Sequence, residues 1–519
     1  MQYLQPINYA SSNYYVKYAR KHHVVCPPNP QFINNVANAD DQQLNRIAAR
    51  MASWGEGREH IIPAIINSPY TAWLKNPKAL LNRQTKFKSI LKTLKTLRGY
   101  YLEQYAFYNK QVGDVKAKKA LYQYVSEAIA ANRRKTIENN ELYLEKTEIY
   151  MHGPSGVHKF ALADVAPTAA DKKAEIWTDM LLIQRMADEQ GMEQVLLTET
   201  ALPQYHSNPT KGRCSYNGAS SRQALKWIQD NVHRVIYKRA KAAGINLMGF
   251  AVPEPHKDGC PHLHVALFVP PDKLNRFISI VNDVRAEISS EYGINYSLDL
   301  RLKTDLENEQ EPAQAASYVM KYVIKSFDDP EIGAWYSRDC GGEIRRCNRI
   351  GLQGFKSKFN YLYKMRKQLI KHPIKLLREL GEMLCSDMQL SAKKYAFFNH
   401  FNPYLKGVYI EDENGNKRFS HVTHNHDGGD IVIVNLNRIL DPNNKNDKEL
   451  INKHENGEKQ AETTVNTGTE HKQELDGLTI NVCYSSEAGA SPDLVITSEI
   501  NDFWSDFDDD EEQINLLDI

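Results

Sequence analysis

The stretch from Glu254 to Phe268, Glu-Pro-His-Lys-Asp-Gly-Cys-Pro-His-Leu-His-Val-Ala-Leu-Phe, constrains the fold of this chain most. From Pro261 onward it has the character of a strand, and side chains on a strand alternate between faces. His262, His264, Ala266 and Phe268 therefore share one face, and Leu263, Val265, Leu267 and Val269 the other. Burial of the aliphatic face sets both imidazoles together on the opposite one. Glu254 comes back across Lys257-Asp258-Gly259. A three-residue loop with Gly259 in the left-handed conformation would pair His256 with Cys260 and set Glu254 opposite His262. A two-residue turn at Asp258-Gly259 would face Glu254 with Leu263 and scatter the three, so the register is decisive.

In the first register a carboxylate and two imidazoles can share one metal ion and leave positions open for water and substrate oxygens. A mixed nitrogen and oxygen set admits Mg2+ or Mn2+ when the substrate brings phosphate oxygens. Such a metal acts as a Lewis acid on a phosphoryl oxygen. His256 shares the Glu254 face and is a substitute ligand. A His-x-His pair on a strand also occurs as a structural feature, which is the competing reading.

Ser317-Tyr-Val-Met-Lys-Tyr-Val-Ile-Lys325 contains Tyr-x-x-Lys twice in tandem. On a helix Tyr318 and Tyr322 share a face, with Cβ atoms about 5–6 Å apart, and Lys321 and Lys325 form a parallel row. A phenol, with a reference pKa of about 10, is a poor nucleophile near neutral pH. A neighbouring cation and a polarised phosphate are what it needs to attack. Read alone, the segment fits an amphipathic helix whose tyrosines and valines are core and rim.

Together the two motifs resemble the HUH endonucleases, in which histidine, hydrophobic residue, histidine is followed downstream by a catalytic tyrosine. They are most similar to the two-tyrosine bacteriophage replication gene A proteins, initiators of rolling-circle replication. Leu196-Leu-Thr-Glu-Thr200 resembles that family's first motif, with Glu199 where the family carries an apolar residue; a carboxylate there could stand near the metal. The resemblance covers roughly residues 190 to 370. It implies a metal-dependent nickase at a specific origin, with His262, His264 and Glu254 as metal ligands and Tyr318 and Tyr322 as nucleophiles. One tyrosine would form a 5′-phosphotyrosyl link and free a 3′-hydroxyl for a host polymerase. The second would cleave the regenerated origin, and the free 3′-end would close the displaced circle. Lys321 and Lys325 would stabilise charge on the phosphate or lower a tyrosine pKa. The implied partners are single-stranded or supercoiled origin DNA, a host helicase, a polymerase and single-stranded DNA-binding protein. No Gly-rich phosphate loop is present, so unwinding must come from elsewhere. A two-tyrosine transposase would use the same chemistry. A non-catalytic DNA-binding protein with a structural His site is the reading from another class.

The expected organisation is α+β, an HUH-type core of antiparallel sheet with packed helices over 191–330. A mainly helical region, 1–190, precedes it. Within that region, Gln84–Tyr101 reads as a helix with Phe87, Leu91, Leu94 and Tyr101 inside and a solvated basic face around Lys92, Lys95 and Arg98. Asp171–Gln190 reads as another, with Ile176, Met180, Leu181 and Met186 inside. His206, in the loop after the first motif, reads as structural or DNA-contacting. Tyr9, Tyr14, Tyr15 and Tyr18 beside Arg20 and Lys21 could stack bases and meet phosphates, or pack as a terminal arm. Residues 331–440 form a basic and aromatic DNA-binding extension in which Arg338, Arg345, Arg346 and Arg349 alternate with Phe355, Phe359, Tyr361 and Tyr363. It ends in a hairpin through Asn414-Gly415.

The net charge of +1 conceals a division. Residues 441–519 hold 20 acidic and 5 basic side chains, a net of −15, against 60 basic and 44 acidic in the rest, a net of +16. A basic body implies a polyanionic partner, and a tail of that composition is expected to be disordered. Its end, Asp502-Phe-Trp-Ser-Asp-Phe-Asp-Asp-Asp-Glu-Glu512, is similar to the acidic tips of bacterial single-stranded DNA-binding proteins, which implies recruitment of a host replication protein or masking of the basic body. Seven scattered cysteines without a Cys-x-x-Cys pair argue against a zinc ribbon or disulfide framework. With no signal-like start and no run of about 18 apolar residues, the chain is expected in the cytoplasm of a bacterial host, away from membranes.

Overall fold

Alternation of apolar residues along five segments builds the sheet that carries the candidate site. The computed structural model describes residues 30–52, 83–118, 120–153, 156–303, 314–352, 354–411, 417–426, 429–433, 438–439, 445, 448–449 and 452. The expected aromatic and basic arm before Pro30, and nearly all of the acidic tail, lie outside these residues.

A hairpin of β1 (Glu148–Gly153) and β2 (Gly156–Ala161) follows the N-terminal helices. The central sheet comprises β3 (Glu193–Thr200), β4 (Met248–Pro255), β5 (Pro261–Val269), β6 (Leu298–Leu302) and β7 (Asn348–Ile350), all antiparallel in the order β6-β3-β5-β4-β7. A third sheet of β8 (Leu405–Glu411), β9 (Lys417–His426) and β10 (Gly429–Ile433) lies beyond it, and β11 (Arg438–Ile439) returns to pair with β1. The expected hairpin near Asn414-Gly415 is thus the pairing of β8 with β9, its turn lying outside the described residues.

Both faces of the central sheet are covered, giving a helix–sheet–helix sandwich of the α+β class. On one face Val195, Leu197, Leu263, Val265 and Leu267 meet the helices at 221–242 and Leu274–Tyr292. On the other, Leu196, Phe250, Val252, Ala266 and Phe268 meet Ala169–Glu189 and Ala315–Asp328. The helix at 221–242 is interrupted by a π turn, Gln229–His233, which leaves Leu225, Ile228, Val232 and Ile236 all buried.

Three expectations are corrected by packing. Arg83–Tyr108 buries the expected apolar stripe, but Thr93, Thr96, Arg98, Glu103 and Gln104 are buried as well. Its basic face is not solvated: Arg98 pairs with Asp41 and Asp339, and Lys95 with Asp41. In Ala169–Glu189, begun by a Thr168–Asp171 capping box, Leu182 and Ile183 are buried and Leu181 is only half-buried. Within 331–440, Phe355 and Phe359 stack on each other in the core (5.8 Å between centroids), which removes them from any nucleic-acid surface.

Candidate metal centre and tyrosine pair

The hairpin between β4 and β5 closes through the three-residue turn. His256 N donates to Cys260 O at 2.8 Å, Gly259 N donates to His256 O at 2.8 Å, and Gly259 has φ +80°. Pairing then sets Pro255 opposite Pro261, Glu254 opposite His262, and Val252 opposite His264. Three strands therefore contribute to one patch, since Thr198 and Thr200 of β3 lie opposite His264 and His262.

Glu254 Oε2 stands 3.1 Å from the Nε2 atoms of both His262 and His264, which are 2.7 Å from each other. Those three atoms converge on one point, so this donor set fits a divalent cation. The Nδ1 of His264 faces Thr198 Oγ1 at 3.4 Å, a partner on the far ring nitrogen of the kind that fixes a ligand's orientation. Nδ1 of His262 is buried with no hydrogen-bond partner, and the ring packs against His256 at 4.3 Å. His256 in turn meets His206 at 5.2 Å, and His206 Nδ1 lies 3.1 Å from Asp258 Oδ2. His206 is therefore tied to the hairpin turn, and His256 stands beside the convergence point rather than in it.

Electrostatics favour metal-ready protonation states. Burial would raise the Glu254 carboxyl, but hydrogen bonds to His262, His264 and Lys325 outweigh it and hold the group well below the usual carboxylate range. Burial lowers His262 and His264 despite the nearby carboxylate, and lowers His256 to about 3 with help from His262 and His206.

Ala315–Asp328 lies across this face and brings the tandem motif to the patch. The Tyr322 ring stacks on His264, 3.8 Å between centroids and 11° between planes. Tyr322 Oη donates to Tyr318 Oη at 3.3 Å. Lys321 Nζ lies 4.0 Å from the centre of the Tyr318 ring and 5.1 Å from that of Tyr322. Lys325 Nζ donates to Glu254 Oε1 at 2.8 Å. All seven singled-out residues are thus in one assembly, with Tyr322 buried and Tyr318 half-buried.

Glu199 is not among them. One residue off the threonines, it points to the opposite sheet face, where it is fully buried against His233 Nδ1 at 3.1 Å. The period-two alternation that aligns Thr198 and Thr200 with the site requires this. Sequence reasoning also passed over the residues that hold the hairpin turn. Tyr124 N donates to Lys257 O at 2.8 Å, and Gly259 O accepts from Ser221 Oγ at 2.8 Å and Trp335 Nε1 at 3.0 Å. Tyr124 itself is a non-glycine residue at φ +62°. Nothing in the local sequence pairs position 124 with position 257.

Among the described residues, no helix is long and apolar enough to cross a membrane. The probable replication protein P12 of Pseudoalteromonas phage PM2 is 32% identical over 103 residues, 20% of this chain and 15% of that protein. The replication gene A protein of Escherichia phage 186 is 28% identical over 116 residues, 22% of this chain and 17% of that protein. The replication protein of Haemophilus phage HP1 is 26% identical over 118 residues, 22% of this chain and 15% of that protein. The chain therefore spans under a fifth of the length of these curated relatives. No solved structure matches. The bacteriophage replication gene A protein (GPA) family matches residues 40–330, the hairpin and both tyrosines included, and the chain belongs to that family.

Proposed function

We propose that this chain is an origin-specific DNA nickase and strand transferase that starts and ends rolling-circle replication through a 5′-phosphotyrosyl intermediate. The observation that carries this reading is the stacking of the Tyr322 ring on His264, with the Tyr318 hydroxyl 3.3 Å from that of Tyr322. Two nucleophiles and a metal-type ligand set share one surface, as a cleave-then-rejoin cycle demands.

Glu254, His262 and His264 would hold Mg2+ or Mn2+, which when bound supplies Lewis acidity toward a phosphate oxygen. The protein groups do the rest. Tyr318 Oη, the less buried phenol, gives up its proton to solvent and attacks phosphorus as a phenolate, which the hydrogen bond donated by Tyr322 stabilises. The new oxygen–phosphorus bond replaces the bond to the 3′-oxygen, which takes up a proton and leaves as a 3′-hydroxyl. Lys321, beside both rings, is placed to stabilise charge there. Lys325 instead anchors Glu254, a positioning role. Tyr322, whose hydroxyl stays free while Tyr318 is esterified, stands within reach to make the second attack, and the 3′-hydroxyl released there displaces Tyr318 from its phosphate. Each step exchanges one phosphoester for another, so rejoining needs no nucleotide hydrolysis.

A host helicase, polymerase and single-stranded DNA-binding protein complete the cycle on this reading, in the bacterial cytoplasm where phage DNA is copied. The test is SDS-stable capture of labelled single-stranded origin DNA in the presence of Mg2+ or Mn2+. Tyr318→Phe and Tyr322→Phe should each retain partial capture, and the double variant none. An adduct surviving in the double variant, or none with the unaltered chain, refutes the nucleophile assignment. The second result leaves a DNA-binding protein with a structural His site.

A further inference from the structure

The sheet end that carries the candidate site continues into an aromatic surface that the proposed chemistry does not use. Thr200, paired with His262, accepts a hydrogen bond at its carbonyl from Tyr296 Oη at 2.6 Å. Tyr296 is buried, and above it Trp227 sits with ring centroids 6.1 Å away. Trp227 in turn meets Tyr205 at 5.9 Å and Tyr292 at 6.0 Å. Tyr205 and Trp227 are half-buried and Tyr292 is exposed at 38%. The outermost rings of this cluster therefore stand at the surface, supported from below by a fixed phenol.

A basic loop leaves the chain beside Tyr205 and returns there, its base closed by Asn217 N donating to Gln204 O at 2.8 Å. The near side of the loop is tied to the metal-site hairpin: Ser207 Oγ donates to Asp258 O at 3.1 Å, and Asn208 N to Asp258 Oδ2 at 3.3 Å. The tip, Lys211-Gly212-Arg213, is exposed, with Gly212 at φ +77° and nothing within 4 Å of where its Cβ would be. An anchored loop with a basic tip, beside aromatic side chains that reach the solvent, is the combination that holds a single strand: bases on the rings, phosphates on the cations.

We infer that Tyr205, Trp227 and Tyr292, with Lys211 and Arg213, form a stacking platform for single-stranded DNA at the sheet end that carries the candidate site. Trp227 and Tyr292 stand on the helices that cover the sheet face opposite the ligand set, so the platform would seat DNA that passes round this end of the sheet rather than the scissile phosphate itself. A duplex, whose bases are already stacked on one another, offers the rings nothing. The inference rests on DNA being the partner, as proposed above, but not on cleavage.

The experiment uses the full chain carrying Tyr318→Phe and Tyr322→Phe, so that covalent capture cannot contribute. Binding of a labelled thymidine 20-mer and of its duplex is followed by fluorescence anisotropy across a salt series. Trp227→Ala should weaken single-strand binding about tenfold or more and leave duplex binding unchanged. Tyr292→Ala, at an exposed position that folding tolerates, should act in the same direction. Lys211→Ala with Arg213→Ala should instead flatten the slope of log affinity against log salt by about 1.4. Irradiation of a 5-bromouracil oligonucleotide with the unsubstituted rings should crosslink to Trp227 or Tyr292. Unchanged single-strand affinity in Tyr292→Ala together with no crosslink at either ring overturns the platform, as does an equal loss on duplex. If the wild-type chain fails to cleave while these binding effects hold, only the nickase reading falls. If it cleaves normally while they are absent, only the platform falls.

Discussion

At the scale of single residues, Glu254 ties the candidate centre together. One of its carboxylate oxygens faces both imidazoles and the other takes the Lys325 ammonium, so ligand set and tyrosine helix meet on one side chain. Protonation would break that bridge, and the surroundings prevent it. The Glu254 carboxyl is held low by its three hydrogen-bond partners, and burial keeps His262 and His264 below their ordinary 6.5. A ligand with a lowered pKa stays unprotonated, and so metal-competent, to lower pH. Mn2+ affinity measured by calorimetry should thus stay flat from pH 8 to about 6, where an ordinary imidazole site is already losing affinity. A decline that begins above pH 6.5 would contradict these shifts. The residues of this bridge were legible from the sequence because strand alternation and hairpin register are short-range rules. Lys325's specific link to Glu254 was not: the two are 71 positions apart, and only the packing of helix on sheet decides which lysine of the row points down.

At the scale of elements, the hairpin turn between β4 and β5 is gripped from three directions. Phe107 and the Tyr124 carbonyl close over Gly259, while Ser221 and Trp335 hold its oxygen. A Cβ on Gly259 would lie 2.6 Å from the Phe107 ring and 3.0 Å from Tyr124 O, at a φ of +80° that L-residues resist. The left-handed conformation alone costs roughly 1–2 kcal/mol for a residue other than glycine. Gly259→Ala should therefore lower stability by at least about that much and disturb Glu254 and His262, the pair five and three residues away. Metal-dependent adduct formation should fall further than the shift in unfolding midpoint explains, and wild-type adduct yield in a folded Gly259→Ala protein would show that the turn does not set the ligand geometry. The turn type could be read from Lys257-Asp258-Gly259, whereas its clamp could not, because Phe107, Tyr124 and Trp335 belong to distant segments. The same limit explains the Arg83–Tyr108 helix. Its periodicity gave the apolar stripe, but periodicity cannot see that Asp41 and Asp339 arrive to pair Arg98, burying a face that composition alone marks as solvated.

At the scale of the whole molecule, the segment expected to be a separate DNA-binding extension shares its core with the central sheet. Phe250 and Phe268 belong to the same buried cluster as Phe355, Leu362, Leu380, Phe397 and Val422. Basic and aromatic composition over 331–440 therefore reflects internal packing as well as surface. Asp179 shows why. It is buried in the helix Ala169–Glu189 and pairs with Arg349, one of the cations that made this region look like a polyanion-binding surface, and with Lys394. Burial alone would raise the Asp179 carboxyl, but the two cations outweigh it and hold it below its ordinary value. A carboxyl whose folded pKa is depressed contributes its stability in full above the unfolded value, near 3.8, and loses it as pH falls through the folded one. Asp179→Asn leaves Arg349 and Lys394 buried without their countercharge, which typically costs about 3–5 kcal/mol. Urea unfolding at pH 7 should show that loss, and the substituted protein should lack the Asp179 share of the acid-induced decline below pH 4. Tryptophan fluorescence, to which Trp335 in the N-terminal core and Trp177 against the sheet cluster both contribute, should shift at one urea midpoint if these two regions unfold together. Equal stability of Asp179→Asn and the unaltered chain at pH 7 would mean that the apolar cluster, rather than this buried ion network, joins residues 331–440 to the sheet.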